Sequence, residues 1–419
     1  MYKSGMERKE YFKPKIPELL APAGNMEKLR TAVHYGADAV YCGGRLYSLR
    51  ALAENFSEAE LEQAVQYAHE HSVKLYVAVN ILAHNEDFRD LDRYITFLDR
   101  TGIDGIIVSD PGILARTRRL APGLPVHLST QVTITNSDSA RFWQEQGVRR
   151  LNLARELSLA EITAIRNAVD TEIEVFVHGA LCISYSGRCL LSYYLTGRDA
   201  NRGACAHPCR YSYTLLEEKR PGQFFPVEED GRGTYIFNSK DLCLLNRLPQ
   251  LLAAGVDSLK IEGRMKSVFY VGSVVRVYRA VLDYLAENGI DSELPPVFMA
   301  ELLRVGTRGY TENFFNGPPG AADMIHQTPR LEQTTMPTAV IRGIHGDSLL
   351  EIEARNTLKP GEQMEYMGRG LETVSFTVEE MTNRDGDLLQ QANPKDHLQV
   401  KISCSTNGMN RGGLLRRLV

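Results

Sequence analysis

Four of the seven cysteines in this 419-residue chain fall in one stretch, CISYSGRCLLSYYLTGRDANRGACAHPC, at Cys182, Cys189, Cys205 and Cys209. Thiols at this density can form disulfides, supply a nucleophile or hold a metal. An odd total, together with the reducing compartment expected below, argues against disulfides. A nucleophilic cysteine needs one activated thiolate and a basic partner, not four or five thiols. The spacing is C-x6-C, fifteen residues, then C-x3-C, and it lacks the close cysteine pair at each end that a zinc knuckle uses. Four thiolates from scattered loops suit an iron–sulfur cluster. The flanking SYSGR and NRGA are the small and polar residues of loops that wrap an inorganic core. The spacing thus favours a cluster, with zinc as the alternative and unrelated buried cysteines as the third reading. Cys243, in NSKDLC, is a fifth candidate ligand.

The elements that position these thiols announce themselves by repetition. Glycine followed by a short apolar run recurs as GADAVYCGG, GIDGIIVSDPG, GVRRLNLAREL and GVDSLKIEGRM, each after an amphipathic helical stretch. The glycine supplies the left-handed cap that ends a helix, and the β-branched run suits a strand buried on both faces. PELLAPAG, KLYVAVN, PVHLST and EIEVFVHG read as four further strands. Eight strands follow, with helices at 58–70, 87–101, 158–168 and 267–287 and the eighth strand near 258–262. The economical fold is a (β/α)8 barrel over 1–330, a TIM-like barrel, with an open doubly wound sheet as the alternative. The segment 180–257 is too long for a βα loop, so it is an insertion after strand 7 that carries the cysteines. From 331 to 419 apolar and polar residues alternate, with turns at His345-Gly346-Asp347 and Asp385-Gly386-Asp387. That pattern predicts a small all-β, barrel-like domain.

Polar residues at the C-terminal ends of barrel strands point into the mouth. They are Asn80, Ser109 with Asp110, His127, Ser129 with Gln131, Arg155 with Glu156, His178, and Lys260 with Glu262 and Arg264. Alternate positions on a strand share a face, so Lys260, Glu262 and Arg264 can line the mouth together. The catalytic candidates are His178, Lys260, Glu262, Arg264, Asn80 and His127. Arg155, Arg188, Arg202, Arg308 and Tyr310 are the substrate-binding candidates, suited to an anionic or stacked ligand.

The net charge of −4 gives no bulk signal for nucleic acid, although arginines cluster around the cysteines and in the tail RGGLLRR. No apolar run approaches a membrane span. The first twenty residues lack an apolar signal core, which predicts a cytoplasmic protein. H-E-x-x-H, G-x-S-x-G and phosphate-loop motifs do not occur.

EVFVHGALCISYSGRCLLS, together with ELLAPAGNMEKLRTAVHYGADAVYCGG, VSDPG, HLSTQ, LARELSL, NSKDL, SLKIEGRMKS and RGYT, resembles the peptidase U32 family over nearly the whole chain. The resemblance implies several activities. Some members are collagenase-like peptidases. Others hydroxylate tRNA uridine to 5-hydroxyuridine at the wobble position with prephenate-dependent chemistry, modify a ribosomal RNA cytidine, or support ubiquinone hydroxylation. The tRNA branch is the nearest, which implies tRNA and a small anionic co-substrate as partners. A peptidase, or a non-catalytic member of a hydroxylation complex, is the alternative, with a protein partner or a homo-oligomer as the assembly. The ubiquinone branch binds a 4Fe–4S cluster, which matches Cys182, Cys189 and Cys205. It implies Cys243 as the fourth ligand, whereas the tRNA-type pattern implies Cys209.

Overall fold

In the computed structural model, residues 15–48, 54–182, 184–185, 188–200, 203–210, 215–216, 224–225, 228–230, 233–235, 240–305, 309–317 and 334–418 are described. Eight parallel strands form the first sheet: β1 (Glu18–Pro22), β2 (Ala39–Gly43), β3 (Lys74–Val79), β4 (Gly105–Val108), β5 (Val126–Leu128), β6 (Arg150–Asn152), β7 (Glu172–Gly179) and β8 (Ser258–Ile261). Strand β8 bonds to both β1 and β7, which closes the barrel and rules out the open sheet. The strands are buried on both faces, as their unalternating apolar runs require.

Helices α1 (Met26–His34), α2 (Glu58–Glu70), α3 (Leu91–Thr101), α4 (Pro111–Leu120), α5 (Ser137–Glu145) and α6 (Leu159–Arg166) cover the outside. Ser57 and Ser158 start α2 and α6 with reciprocal capping boxes to Glu60 and Glu161. The four repeat glycines Gly36, Gly102, Gly147 and Gly255 all have positive φ, between 71° and 94°. Each lets the chain turn from a helix into the next strand.

The insertion after β7 carries a short helix, α7 (Leu191–Thr196), and returns through a strand at Asp241–Cys243 that pairs antiparallel with β7. Tyr310–Thr311 adds a further parallel strand beside it. This two-strand extension has no forerunner in the sequence pattern, because three- and two-residue strands carry no period to read. Helix α8 (Leu248–Ala253) then leads into β8, and α9 (Val268–Asn288) and α10 (Val297–Leu303) follow.

The C-terminal domain is a closed antiparallel barrel of β9 (Thr335–His345), β10 (Leu349–Ala354), β11 (Gln363–Met367), β12 (Thr373–Thr382), β13 (His397–Ile402) and β14 (Leu414–Leu418). Leu350, Ile352, Tyr366, Phe376, Val400 and Leu415 fill it. It is seated on the first barrel through α9, which is apolar nearly all round because both barrels cover it. The buried Glu301 carboxylate takes Arg276 at 2.9 Å and Arg416 at 2.6 Å across this junction. Tyr35 Oη donates to the Met367 carbonyl at 2.9 Å and accepts from the Leu414 amide at 3.0 Å.

The repeat glycines make a clean test of the strand–helix grammar. At Gly102 an added Cβ meets nothing within 4 Å, so Gly102→Ala carries only the left-handed strain, about 1–2 kcal/mol. At Gly36 the added Cβ would also press on the Arg279 side chain at 2.7 Å. Urea unfolding of the two variants should therefore rank Gly36→Ala as the more destabilised, with both less stable than the parent.

Candidate functional site

The barrel interior is not an apolar plug. Arg150, from β6, donates to Glu18 at 2.6 Å and to Glu172 at 2.8 Å, and lies 3.4 Å from Glu174. Lys260, from β8, donates to Glu174 at 2.8 Å, and the two side chains are 4% and 2% exposed. Tyr76 Oη donates to Glu18 at 2.9 Å. A buried charge is tolerable only when it is paired and hydrogen-bonded, and here each one is. The Lys260 ammonium also lies 4.5 Å from the centre of the Tyr41 ring, a favourable cation–π distance.

Above this layer opens a cleft of about 1160 Å³, counted out to its open mouth. Its barrel side includes Asn80, Gln131, Asn152, Arg155, Lys260, Glu262 and Arg264. Its other side comes from the insertion and includes Cys182, Cys189, Cys205 and Cys209. Among the described residues none of the four is in a disulfide. Among the described residues, no three His, Cys, Asp or Glu side chains are gathered into a group that could hold a metal ion. The four cysteines line one shared cavity.

Several barrel-side residues are held in place. Arg155 donates to the Ala180 carbonyl at 2.8 Å and lies 5.2 Å over the Phe176 ring. Arg264 donates to Ser48 at 2.9 Å. A Cβ on Gly43 would stand 2.2 Å from that guanidinium, so the glycine at the end of β2 makes room for it. Tyr41 Oη lies 3.3 Å from Glu262 Oε2. Asn80 and Ser129 both donate to Gln131 Oε1, at 2.8 and 3.1 Å. Ser109 donates to the Asn80 carbonyl and Asp110 caps α4, so these two serve the loops.

Several predicted site residues lie elsewhere. His178 should face inward with Glu174 and Phe176 on the alternation of β7. The pairing with β8 slips by one residue, from Lys260 opposite Phe176 to Ile261 opposite His178. This bulge turns His178 out of the cleft and into a pocket of Tyr270, Tyr278 and Tyr310, with ring centres 5.3–5.9 Å away. It is 1% exposed, and burial pulls its pKa down to about 3. Tyr310 is committed to that packing and does not line the cleft.

His127 lies lower in the barrel, against Tyr76 at 4.4 Å. Burial first, and then Arg150 and Lys260, hold it well below the usual imidazole range. Cys243 is buried beside Tyr278 with its sulfur 4.0 Å from the hydroxyl, and burial pushes its thiol up to about 11. It lies outside the cleft lining, as does the exposed Arg188. Arg202 and Arg308 lie outside the described residues.

The cleft also holds residues that sequence reading passed over. Asn152 sits inside the apolar run RLNLA, where one polar letter carried no signal. Tyr41 and Phe176 read there as ordinary core. Tyr185, which lines the cleft at 45% exposure, was hidden in the cysteine stretch.

Comparison with known proteins follows the same division. The model of Peptidase family U32 matches residues 24–325, and that of the Peptidase family U32 C-terminal domain matches 337–416. The chain is 41% identical to tRNA hydroxylation protein P1 of Bacillus subtilis over 90% of each chain. It is 36% identical to tRNA hydroxylation protein P of Escherichia coli, over 89% of this chain and 90% of that one. A 23S rRNA 5-hydroxycytidine synthase of Escherichia coli is 39% identical over 71% of this chain and 42% of its own length. Among the described residues no helix is long and apolar enough to cross a membrane.

The buried imidazole sets a pH dependence. His178 is neutral in the native state down to about pH 3, whereas in the unfolded chain it takes a proton near pH 6.5. Between those values the unfolded state binds more protons, so stability falls as pH falls and is constant above the unfolded pKa. Going from pH 7 to pH 5 should cost about 2 kcal/mol through this residue. Denaturation at the two pH values should show that much less acid sensitivity in His178→Asn than in the parent.

Proposed function

The chain belongs to peptidase family U32, and on that premise we propose that it hydroxylates tRNA. The reaction forms 5-hydroxyuridine at the wobble position with prephenate as co-substrate. A 4Fe–4S cluster is held by Cys182, Cys189, Cys205 and Cys209. The observation that carries this reading is the single cleft in which those four thiols face the polar strand ends of the barrel. The curated relatives named above, hydroxylation proteins and a hydroxylating synthase, favour it over the collagenase-like peptidase.

The donor set fits a cluster. A zinc ion needs four ligands converging on one point. A cubane takes one thiolate on each of four irons, so its sulfurs stand apart around a cavity. Four thiols outside any disulfide lining one cavity are the number of ligands that a cubane takes. Cys209 is preferred to Cys243 as the fourth ligand, because Cys243 is buried against Tyr278 and outside the cleft. When bound, the cluster supplies one-electron chemistry beside the base.

The chain's own groups bind and orient. Arg155 and Arg264 stand where the carboxylates of the co-substrate can reach them. Lys260, neutralised by Glu174, supplies a fixed polar floor. The insertion shields the cleft from water on the side opposite the barrel strands. Arg188, exposed on the insertion, is a contact for RNA phosphate.

Nucleoside mass spectrometry of bulk tRNA from a deletion strain tests the reading. 5-Hydroxyuridine-derived nucleosides should disappear and return with the restored gene. Cys182→Ala and Cys209→Ser should not restore them, and Cys243→Ser should. Protein purified without oxygen should hold about four irons per chain, as a cubane requires, and lose most of them in Cys209→Ser. An unchanged nucleoside profile in the deletion strain would refute the tRNA reading. Iron lost in Cys243→Ser and kept in Cys209→Ser would make Cys243 the fourth ligand.

A further inference from the structure

Two buried polar atoms in the cleft have no hydrogen-bond partner among the described residues: Gln131 Nε2 and Asn152 Oδ1. Their residues are 5% and 2% exposed, and both line the cleft. An unsatisfied buried donor or acceptor costs roughly 1–3 kcal/mol, and such groups in native proteins call for an explanation.

The orientation of the Gln131 amide is determined by its neighbours. Its Oε1 accepts from Asn80 Nδ2 at 2.8 Å and from Ser129 Oγ at 3.1 Å. An amide oxygen that already takes two donors leaves the NH2 group as the end without a partner. Gln131 therefore has its donor end set by its neighbours, and Asn152, at the end of the neighbouring strand β6, contributes a second amide whose Oδ1 has no partner among the described residues. Tyr185, at the exposed rim, adds an aromatic face.

We propose that Gln131 and Asn152 form the subsite that reads the base, taking the edge of an unstacked pyrimidine that carries a carbonyl acceptor beside an N–H donor. This rests on the reading of the protein as an RNA-modifying enzyme and adds the residues that choose the base. In uracil the 4-carbonyl accepts from Gln131 Nε2, and N3–H donates to Asn152 Oδ1. C5 is bonded to C4, so a base held by this edge keeps C5 beside the anchored carbonyl. Cytosine presents a donor and an acceptor in the opposite order along the same edge. It can be held by the same two atoms only in a shifted pose. Single-stranded bases are recognised in this manner, through hydrogen bonds to the Watson–Crick edge and stacking on an aromatic ring.

Gln131→Glu tests the subsite with almost no change in shape, since it replaces the donor with an acceptor. Asn152→Leu removes the acceptor. In the deletion strain, the parent gene fixes the full level of the hydroxylated nucleoside. Each variant should restore roughly a tenth of that level or less, the penalty expected when a site built for a polar edge loses its partner. Iron content of Gln131→Glu should match the parent, which shows the cleft intact, while its melting temperature falls by the cost of the buried carboxylate. Full restoration by both variants would overturn the proposal.

Purified protein is then titrated with uridine 5′-monophosphate and cytidine 5′-monophosphate. The parent should bind uridine 5′-monophosphate more tightly than cytidine 5′-monophosphate, and Gln131→Glu should weaken the uridine nucleotide about tenfold; tighter binding of the cytidine nucleotide would overturn the edge assignment. Equal binding by parent and Gln131→Glu would overturn the subsite. That arm holds even if the deletion strain loses no nucleoside, an outcome that would refute the tRNA reading alone.

Discussion

The chain of buried charges through the first barrel, from Glu18 through Arg150 and Glu174 to Lys260, is the constraint on which the rest depends. It joins β1, β6, β7 and β8, the strands where the barrel closes. Taking ions out of water costs several kcal/mol each, and their mutual attraction offsets this only with close hydrogen-bonded geometry. Such a chain therefore tolerates little shift between strands. A slip of β8 against β7 at this level would leave Lys260 buried without its carboxylate, at a cost of about 3–5 kcal/mol. The floor of the cleft is thus set by the same contacts that close the barrel.

Just above that level the pairing does slip, at the bulge between Phe176 and His178. Below it, β7 sends Glu174 and Phe176 inward; past it, His178 leaves the cleft for the pocket of Tyr270, Tyr278 and Tyr310. The same stretch pairs with Asp241–Cys243, which carries Cys243 away from the cleft. One extra residue in a strand therefore separates two candidate sets that are close in sequence. Cys182 follows His178 by four positions, yet the thiol lines the cleft and the imidazole does not.

Legibility follows the same line. Lys260, Glu262 and Arg264 all line the cleft, although β8 ends at Ile261 and the last two follow it in the next loop, beyond the reach of strand alternation. The glycine repeat announced the barrel, because a left-handed helix cap is a local demand that one residue type meets. His178 was misplaced because a bulge is decided by pairing with another strand, and periodicity within one strand cannot register it. His127 was misplaced for a simpler reason: its strand end was taken one layer too high, so a buried interior side chain passed for a mouth residue. Spacing alone could not choose between Cys209 and Cys243, since the return path of a long insertion is a tertiary matter. Asn152 was lost because a single polar residue in a buried run reads as noise until its neighbours across the barrel are known.

The charges in the cleft bear on what it can hold. Lys260 already pairs with Glu174, so a phosphate at the floor would have to compete with a buried carboxylate 2.8 Å away. A neutral heterocycle meets no such competition, and the two orphan amide atoms ask for a neutral donor–acceptor edge. Phosphates of a bound RNA are better accommodated at the rim, where Arg188 is exposed and water still screens the charge. Arg155 and Arg264 line the barrel side of the cleft, the place proposed for the carboxylates of the co-substrate. The base, the co-substrate and the RNA backbone would each meet a different kind of group, so the amides can select a base without also gripping the chain that carries it.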